Sequence, residues 1–183
     1  MSCFMSAGYS GTSVDDIVKA SGVSKGGIYW HFKSKEEIFL CLVEKEFAQW
    51  KEDYLSVLAE GDSAIIKLNK FISHYLEKIQ SPLPALMFEF FMRARNQEII
   101  KKLKAIIRAG KDDDIVQSIL LQGISSGEFD NMDVQAVAEL FHSIFEGMGA
   151  RFHTYHKNVY LLRRTVRIAL NIFLKGIVRD KTT

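Results

Sequence analysis

T-S-V-D-D-I-V-K-A-S-G-V-S-K-G-G-I-Y-W-H-F-K-S-K-E-E, residues 12 to 37, is the stretch that organises this chain. The Ser13 hydroxyl can accept a hydrogen bond from the exposed amides of a first helical turn, and Asp16 adds the acidic half of a capping arrangement. A helix is therefore predicted from Val14. Ile17 and Val18 give it an apolar stripe, and Gly22 ends it, because glycine enters the left-handed conformation without steric cost. Ser24 caps a second helix, Lys25 to Phe32. Only Val23 and that cap separate the two, so they meet at a steep angle, as in a helix-turn-helix. In the second helix Ile28 and Phe32 face inward at i and i+4, which leaves Lys25, Gly27, Tyr29, Trp30 and His31 on outer faces.

An outer face of cation, hydroxyl and bare backbone suits a phosphate-lined groove. Lys25 and Lys35 are candidates for phosphate charge, and Thr12, Ser24 and Tyr29 for hydroxyl contacts. The first turns of both helices can aim amides at phosphate oxygens. Gly26 and Gly27 weaken their helix by up to about 1 kcal/mol each relative to alanine, which close backbone approach to a groove would offset. Trp30 and His31 complete the expected DNA-facing set.

The chain resembles the tetracycline-repressor (TetR) family of transcriptional regulators at Gly8-Tyr9, Thr12-Ser13-Val14, Ile17, Ala20, Gly22-Val23-Ser24-Lys25-Gly26, Ile28-Tyr29, His31-Phe32 and Ser34-Lys35-Glu36. The resemblance implies a reading head over residues 1–36 and a larger helical domain over 37–183 that binds a ligand and dimerises. It also implies a double-stranded DNA operator and a small-molecule effector as partners, with repression the commoner mode. In the family a full helix precedes the Gly-Tyr pair. Met1 to Ala7 reads here as the last turns of such a helix, with Phe4 and Met5 left to pack and its beginning absent.

Composition agrees with an all-α chain. Across 183 residues the only prolines are Pro82 and Pro84, and apolar residues recur at helical spacing. The formal charge of +2 neither demands nor excludes nucleic acid, since a basic module can sit in a balanced chain. Cys3 and Cys41 are too few for a disulfide framework or a zinc site, which fits a reducing cytoplasm. No apolar run reaches a membrane span of about 18 residues, and no basic-then-apolar leader opens the sequence.

Ser34 opens a long third helix with a capping box to Glu37, expected to run to a stop near Gly61. Asp62 or Ser63 caps the next, which Ser81-Pro82-Leu83-Pro84 breaks. Leu86 to Met92 is apolar nearly all round and is expected to be buried on most sides. Asn96 to Leu121 follows with an interruption near Gly110, then a connection from Gly123 to Asn131. Two final helices, Met132 to Tyr155 and Val159 to Arg179, carry more apolar surface than one core needs. A four-helix contact with a second copy is the simplest use of that surface, with Gly147, Gly149 and Ala150 allowing close approach.

Phe47, Trp50, Tyr54, Phe71, Tyr75, Phe88, Phe91, Met92, Phe145 and Met148 are candidates to line an effector cavity, and such a lining favours an apolar or aromatic molecule. Basic runs at 101–111 and at Arg163, Arg164 and Arg167 read as solvated helix faces. His153 and His156 alone do not make a metal site, and no cofactor is expected. There is no phosphate-cradling glycine loop and no nucleophile elbow, so an enzyme is not expected. A dimeric helical protein that binds a small molecule without DNA is the alternative reading.

Overall fold

The computed structural model describes residues 1–79, 81–110, 113–153 and 158–179. The expected helix end at Tyr155, His156 of the histidine pair and Lys111 of the basic run lie outside these residues. In order the helices are α1 (Ser2–Gly11), α2 (Val14–Ser21), α3 (Lys25–His31), α4 (Lys35–Ser56), α5 (Ala64–Lys78), α6 (Leu83–Arg93), α7 (Gln97–Gly110), α8 (Asp113–Ser125), α9 (Val134–Arg151) and α10 (Val159–Ile177). The only β feature among the described residues is an isolated antiparallel bridge between Phe129 and Val178. The fold is the all-α one expected.

Side-chain caps set most boundaries. Ser63, Asp133 and Asn158 accept from the amides of Ile66, Ala136 and Leu161, each three residues on. Pro82 and Pro84 break the chain after α5 and then open α6, where proline costs no helical hydrogen bond. α4 stops before the expected Gly61. The amides of Val57 and Leu58 turn back onto Tyr54 and Leu55, and the Asp62 carboxylate takes the Ala59 amide at 2.7 Å and the Lys70 ammonium at 2.6 Å. α4 is thus 22 residues, about 33 Å.

The chain forms two compact units, Met1–Lys51 with Ser81–Lys111, and Glu52–Gln80 with Asp112–Thr183. A cut after residue 36 would separate functions; compactness divides the chain elsewhere, grouping α6 and α7 with α1 to α3. The first unit is built on an aromatic cluster. Phe39 meets Phe4 at 5.2 Å, Tyr9 at 5.1 Å and Phe90 at 4.8 Å between ring centroids. All four rings are buried, and each well-placed pair adds about 0.5 to 1.5 kcal/mol beyond area burial. The second unit packs α5, α8, α9 and α10 around Phe71, Phe141, Phe145 and Phe173.

Two expectations about packing are corrected. α6 buries Leu86 and Phe90, four apart, while Phe88 at 68%, Phe91 at 43% and Met92 at 67% are exposed. Apolar composition all round did not bury this helix all round. Gly149 faces inward: a Cβ there would strike the Tyr75 hydroxyl of α5, so its smallness serves packing within the unit. Gly147 has open space at its Cα, and Ala150 is exposed.

Candidate nucleic-acid interface

The helix-turn-helix forms for the local reasons read from its sequence. Ser13 Oγ accepts from the Asp16 amide at 3.1 Å, and the Asp16 carboxylate accepts from the Ser13 amide at 2.9 Å and hydroxyl at 2.6 Å. Those bonds from Ser13, side chain first, hold the Asp16 carboxyl below its ordinary pKa. Gly22 adopts φ 70° and ψ 2° and donates to the Val18 carbonyl at 3.1 Å, closing α2. Ser24 Oγ then accepts the Gly27 amide at 3.1 Å and starts α3.

Ile28 is the fully buried residue of α3, and Phe32 is half-buried just past its end. The opposite face presents Lys25, Gly26, Tyr29, Trp30 and His31. Trp30 is 82% exposed, with the His31 ring edge-on to it at 4.5 Å. Gly27 has a packing reason for its size as well, since a Cβ there would sit 3.0 Å from Val23 Cγ1; Gly26 has none. The Lys25 ammonium lies 2.9 Å from the Asp15 carboxylate on α2, which raises the Lys25 pKa through that hydrogen bond. Any phosphate that takes Lys25 must exchange with Asp15.

Thr12 and Lys35 do not stand where the sequence reading put them. Thr12 is 1% exposed, and its hydroxyl donates inward to the carbonyls of Gly8 at 2.8 Å and Cys3 at 3.1 Å. Lys35 Nζ donates to the carbonyls of Tyr9 at 2.9 Å and Thr12 at 2.8 Å and lies 4.4 Å above the Tyr9 ring. Both tie the segment that leads into α2. The amides of Asp16 and Gly27 are likewise taken by the caps, so the first turns offer fewer donors than expected. The exposed cations Lys19 and Lys33 were passed over; their positions at the end of α2 and just after α3 were the available signal.

Sequence reasoning also missed Glu89 on α6. α1 is broken at Gly8, which has φ 77° and ψ 169°. Glu89 Oε2 accepts the Tyr9 amide at 3.0 Å, and Oε1 accepts the Ser10 amide at 3.1 Å and the Ser10 hydroxyl at 2.5 Å. A single carboxylate inside the apolar run L-P-A-L-M-F-E-F-F-M was the signal.

The ten candidate effector residues divide between the units. Phe47, Trp50, Phe88, Phe91 and Met92 belong to the first, and Tyr54, Phe71, Tyr75, Phe145 and Met148 to the second. Tyr54, Phe71 and Phe145 are buried core, and Tyr75 donates to the Phe145 carbonyl at 2.8 Å. Neither unit alone assembles the set. Within the second unit an open cleft of about 400 Å³ runs between α5 and α10, lined by Asn69, Ser73, Glu77, Arg163, Arg167 and Asn171 with Ile72, Leu76 and Leu170. It is polar and contains none of the ten. Among the described residues no three His, Cys, Asp or Glu side chains cluster as metal ligands, and no helix is long and apolar enough to cross a membrane.

Residues 1–42 match the profile of bacterial regulatory proteins of the tetR family, and residues 46–179 match the C-terminal region of QacR-like proteins. The HTH-type transcriptional regulator QacR of Staphylococcus aureus is 26% identical over 179 residues, 95% of this chain and 92% of that one. The fatty acid metabolism regulator protein of Bacillus subtilis is 30% identical over 135 residues, 73% of this chain and 69% of that one. Among solved structures, the transcriptional regulator FadR from Bacillus subtilis in complex with stearoyl-CoA superposes with a TM-score of 0.75 at 26% identity, covering 96% of this chain and 94% of that one.

Proposed function

Since the chain belongs to the tetR family of bacterial regulatory proteins, whose members are transcriptional regulators and not enzymes, we propose that it is a cytoplasmic, homodimeric repressor. Its two reading heads meet a palindromic operator, and a small apolar or aromatic molecule releases it. The observation that carries the DNA half is the exposed row of Lys25, Gly26, Tyr29, Trp30 and His31 on a helix anchored from behind by Ile28. Ser24 has its hydroxyl engaged with Gly27 and is the least available of the remaining DNA candidates. Lys19 and Lys33 join the set as exposed cations in place of Thr12 and Lys35.

The dimer rests on one apolar surface. α10 leaves Tyr160 77%, Leu161 46%, Ile168 48% and Ile172 67% exposed, and α9 leaves Leu140 53% exposed in line with Ser143, Gly147 and Ala150. On α10 Leu161, Ile168 and Ile172, at i, i+7 and i+11, make one exposed apolar stripe, which a twofold copy covers with itself. The apolar effector is supported by the exposed Phe88, Phe91 and Met92 and by the acyl-CoA in the related FadR structure.

In a twofold dimer the recognition helices meet successive major grooves on one face about 34 to 36 Å apart, so an effector that prefers another spacing weakens binding without touching DNA. A tenfold loss of occupancy takes about 1.4 kcal/mol of such preference. The test is a mobility shift on the DNA upstream of the protein's own coding sequence, with and without a long-chain acyl-CoA as the probe effector. The proposal expects a retarded complex that the probe dissolves, and reciprocal weakening of the probe by that DNA. Absence of retardation would instead favour a binding protein that kept only the fold.

A further inference from the structure

We propose that Glu89 is a positioning residue for the reading head: from α6 its carboxylate holds the break in α1, and through that break it fixes where α2 begins. A helix that restarts after Gly8 leaves its first amides without carbonyl partners. A local serine or aspartate ordinarily caps such a start. Here the cap comes from 80 residues away, with Tyr9 and Ser10 donating both amides and Ser10 its hydroxyl to one carboxylate. Gly8 is also the residue that lets the carboxylate approach, because a Cβ there would stand 3.2 Å from Oε2.

The segment 8–12 is also gripped from the carbonyl side. Thr12 Oγ1 closes on the Gly8 carbonyl, and Lys35 holds the carbonyls of Tyr9 and Thr12. The next residue, Ser13, is the cap of α2. α2 itself has no fully buried residue, so its half-buried Val14, Ile17 and Val18 and this held segment are what place it. Phe90 reinforces the tie, packing edge-on to the Tyr9 ring at 4.9 Å beside Glu89. An α6 shift of about 1 Å takes bonds of 3.0 Å beyond hydrogen-bond range, since such bonds fade past about 3.2 Å. On the far side of α6 are Phe88, Phe91 and Met92, so whatever occupies that face acts on the reading head through Glu89. The DNA consequence rests on the proposed function; the mechanical tie does not.

The experiment is amide hydrogen exchange on the full chain, comparing wild type with Glu89→Ala, Glu89→Met and Glu89→Gln. Positioning expects Ala and Met to speed exchange about tenfold or more at Tyr9 and Ser10 and also throughout α2 and α3, with α9 and α10 unchanged. Glu89→Gln, which keeps one acceptor oxygen, falls between. A rise confined to Tyr9 and Ser10 overturns the inference, because Glu89 is then a local cap. Should Ala and Met fail to fold, Gln carries the same comparison. In parallel, binding of each folded variant to the upstream DNA is measured against salt. The inference expects weaker binding at an unchanged salt slope, since Glu89 neutralises no phosphate; wild-type affinity in a variant with loosened α2 and α3 overturns it. If wild type itself binds no duplex, the DNA reading fails alone, and the exchange pattern still decides the tie.

Discussion

Tyr75 closes over Gly149: its phenol donates to the Phe145 carbonyl at 2.8 Å and occupies the space where a Cβ on residue 149 would be built. Burial pushes the phenol pKa up, so the donor proton stays on. α5 and α9 therefore pack as closely as glycine permits. Gly149→Ala should lower stability by about 1 to 3 kcal/mol, the usual cost of overpacking, with the oligomeric state unchanged. Gly147→Glu, built into open space, should leave the fold intact and separate the two copies. Thermal unfolding and light scattering on the pair of variants distinguish the inner glycine from the outer one; a dimeric Gly147→Glu would place the interface elsewhere.

The ion pair of Lys25 with Asp15 makes opposite predictions for its two members. Lys25→Ala should weaken binding to every duplex and lower the salt slope by about 0.9, one phosphate contact. Asp15→Asn should strengthen binding, because it releases the ammonium and removes a negative charge from the face. The folded state should hardly notice either change, since a fully solvated ion pair contributes little to stability. Affinity measured from 50 to 200 mM salt checks both, and equal slopes for Lys25→Ala and wild type would remove Lys25 from the interface.

Lys35 and Thr12 act on stability instead. Lys35→Met should cost about 1 to 3 kcal/mol by leaving the Tyr9 and Thr12 carbonyls without their donor. Thr12→Val should cost a similar amount by burying the Gly8 carbonyl unpaired. Denaturant titration reads both. If Lys35→Met were as stable as wild type and lost one unit of salt slope, Lys35 would be a phosphate contact after all.

Acid should loosen the first unit through Glu89. Its carboxyl lies below the ordinary glutamate pKa, chiefly because the Ser10 hydroxyl donates to it, with the Ser10 and Tyr9 amides adding to the effect against some desolvation. A group whose folded pKa is depressed binds protons more readily when unfolded, so its stabilisation is present above the unfolded value and lost as pH falls through the folded one. Stability of wild type should therefore decline below the ordinary glutamate range, and Glu89→Gln should show a shallower decline there. Parallel acid limbs for the two proteins would contradict the bonding seen at Glu89.

What the sequence made legible was what lies within one helical turn. Ser13 with Asp16, Ser24 with Gly27 and Gly22 at the end of α2 could be read directly because each partner is three or four residues away. The all-α fold followed from the same local rules and the helical period. Remote pairings were not legible. Glu89 with Tyr9, Tyr75 with Gly149 and Lys35 with Thr12 join residues 80, 74 and 23 positions apart, and nothing local selects those partners. That is why Thr12 and Lys35 were assigned to phosphate and Gly149 to a partner copy. Exposed Phe88, Phe91 and Met92 were misjudged for a related reason: apolar composition shows that a face can be buried, while only the packed structure shows which face is.

Trp30 reports most directly on whether the outer face of α3 meets DNA. It is 82% exposed, and the only other tryptophan, Trp50, is removed by Trp50→Phe. The single-tryptophan protein is titrated with duplex DNA at 50 mM salt while acrylamide quenching of its fluorescence is followed. Non-specific phosphate contacts suffice for binding at that salt. Duplex should shield Trp30 from acrylamide, and the shielding should be lost as salt rises toward 200 mM. Quenching that stays at the free-protein level while the protein is bound to duplex would contradict that contact, because the DNA would then lie on another face.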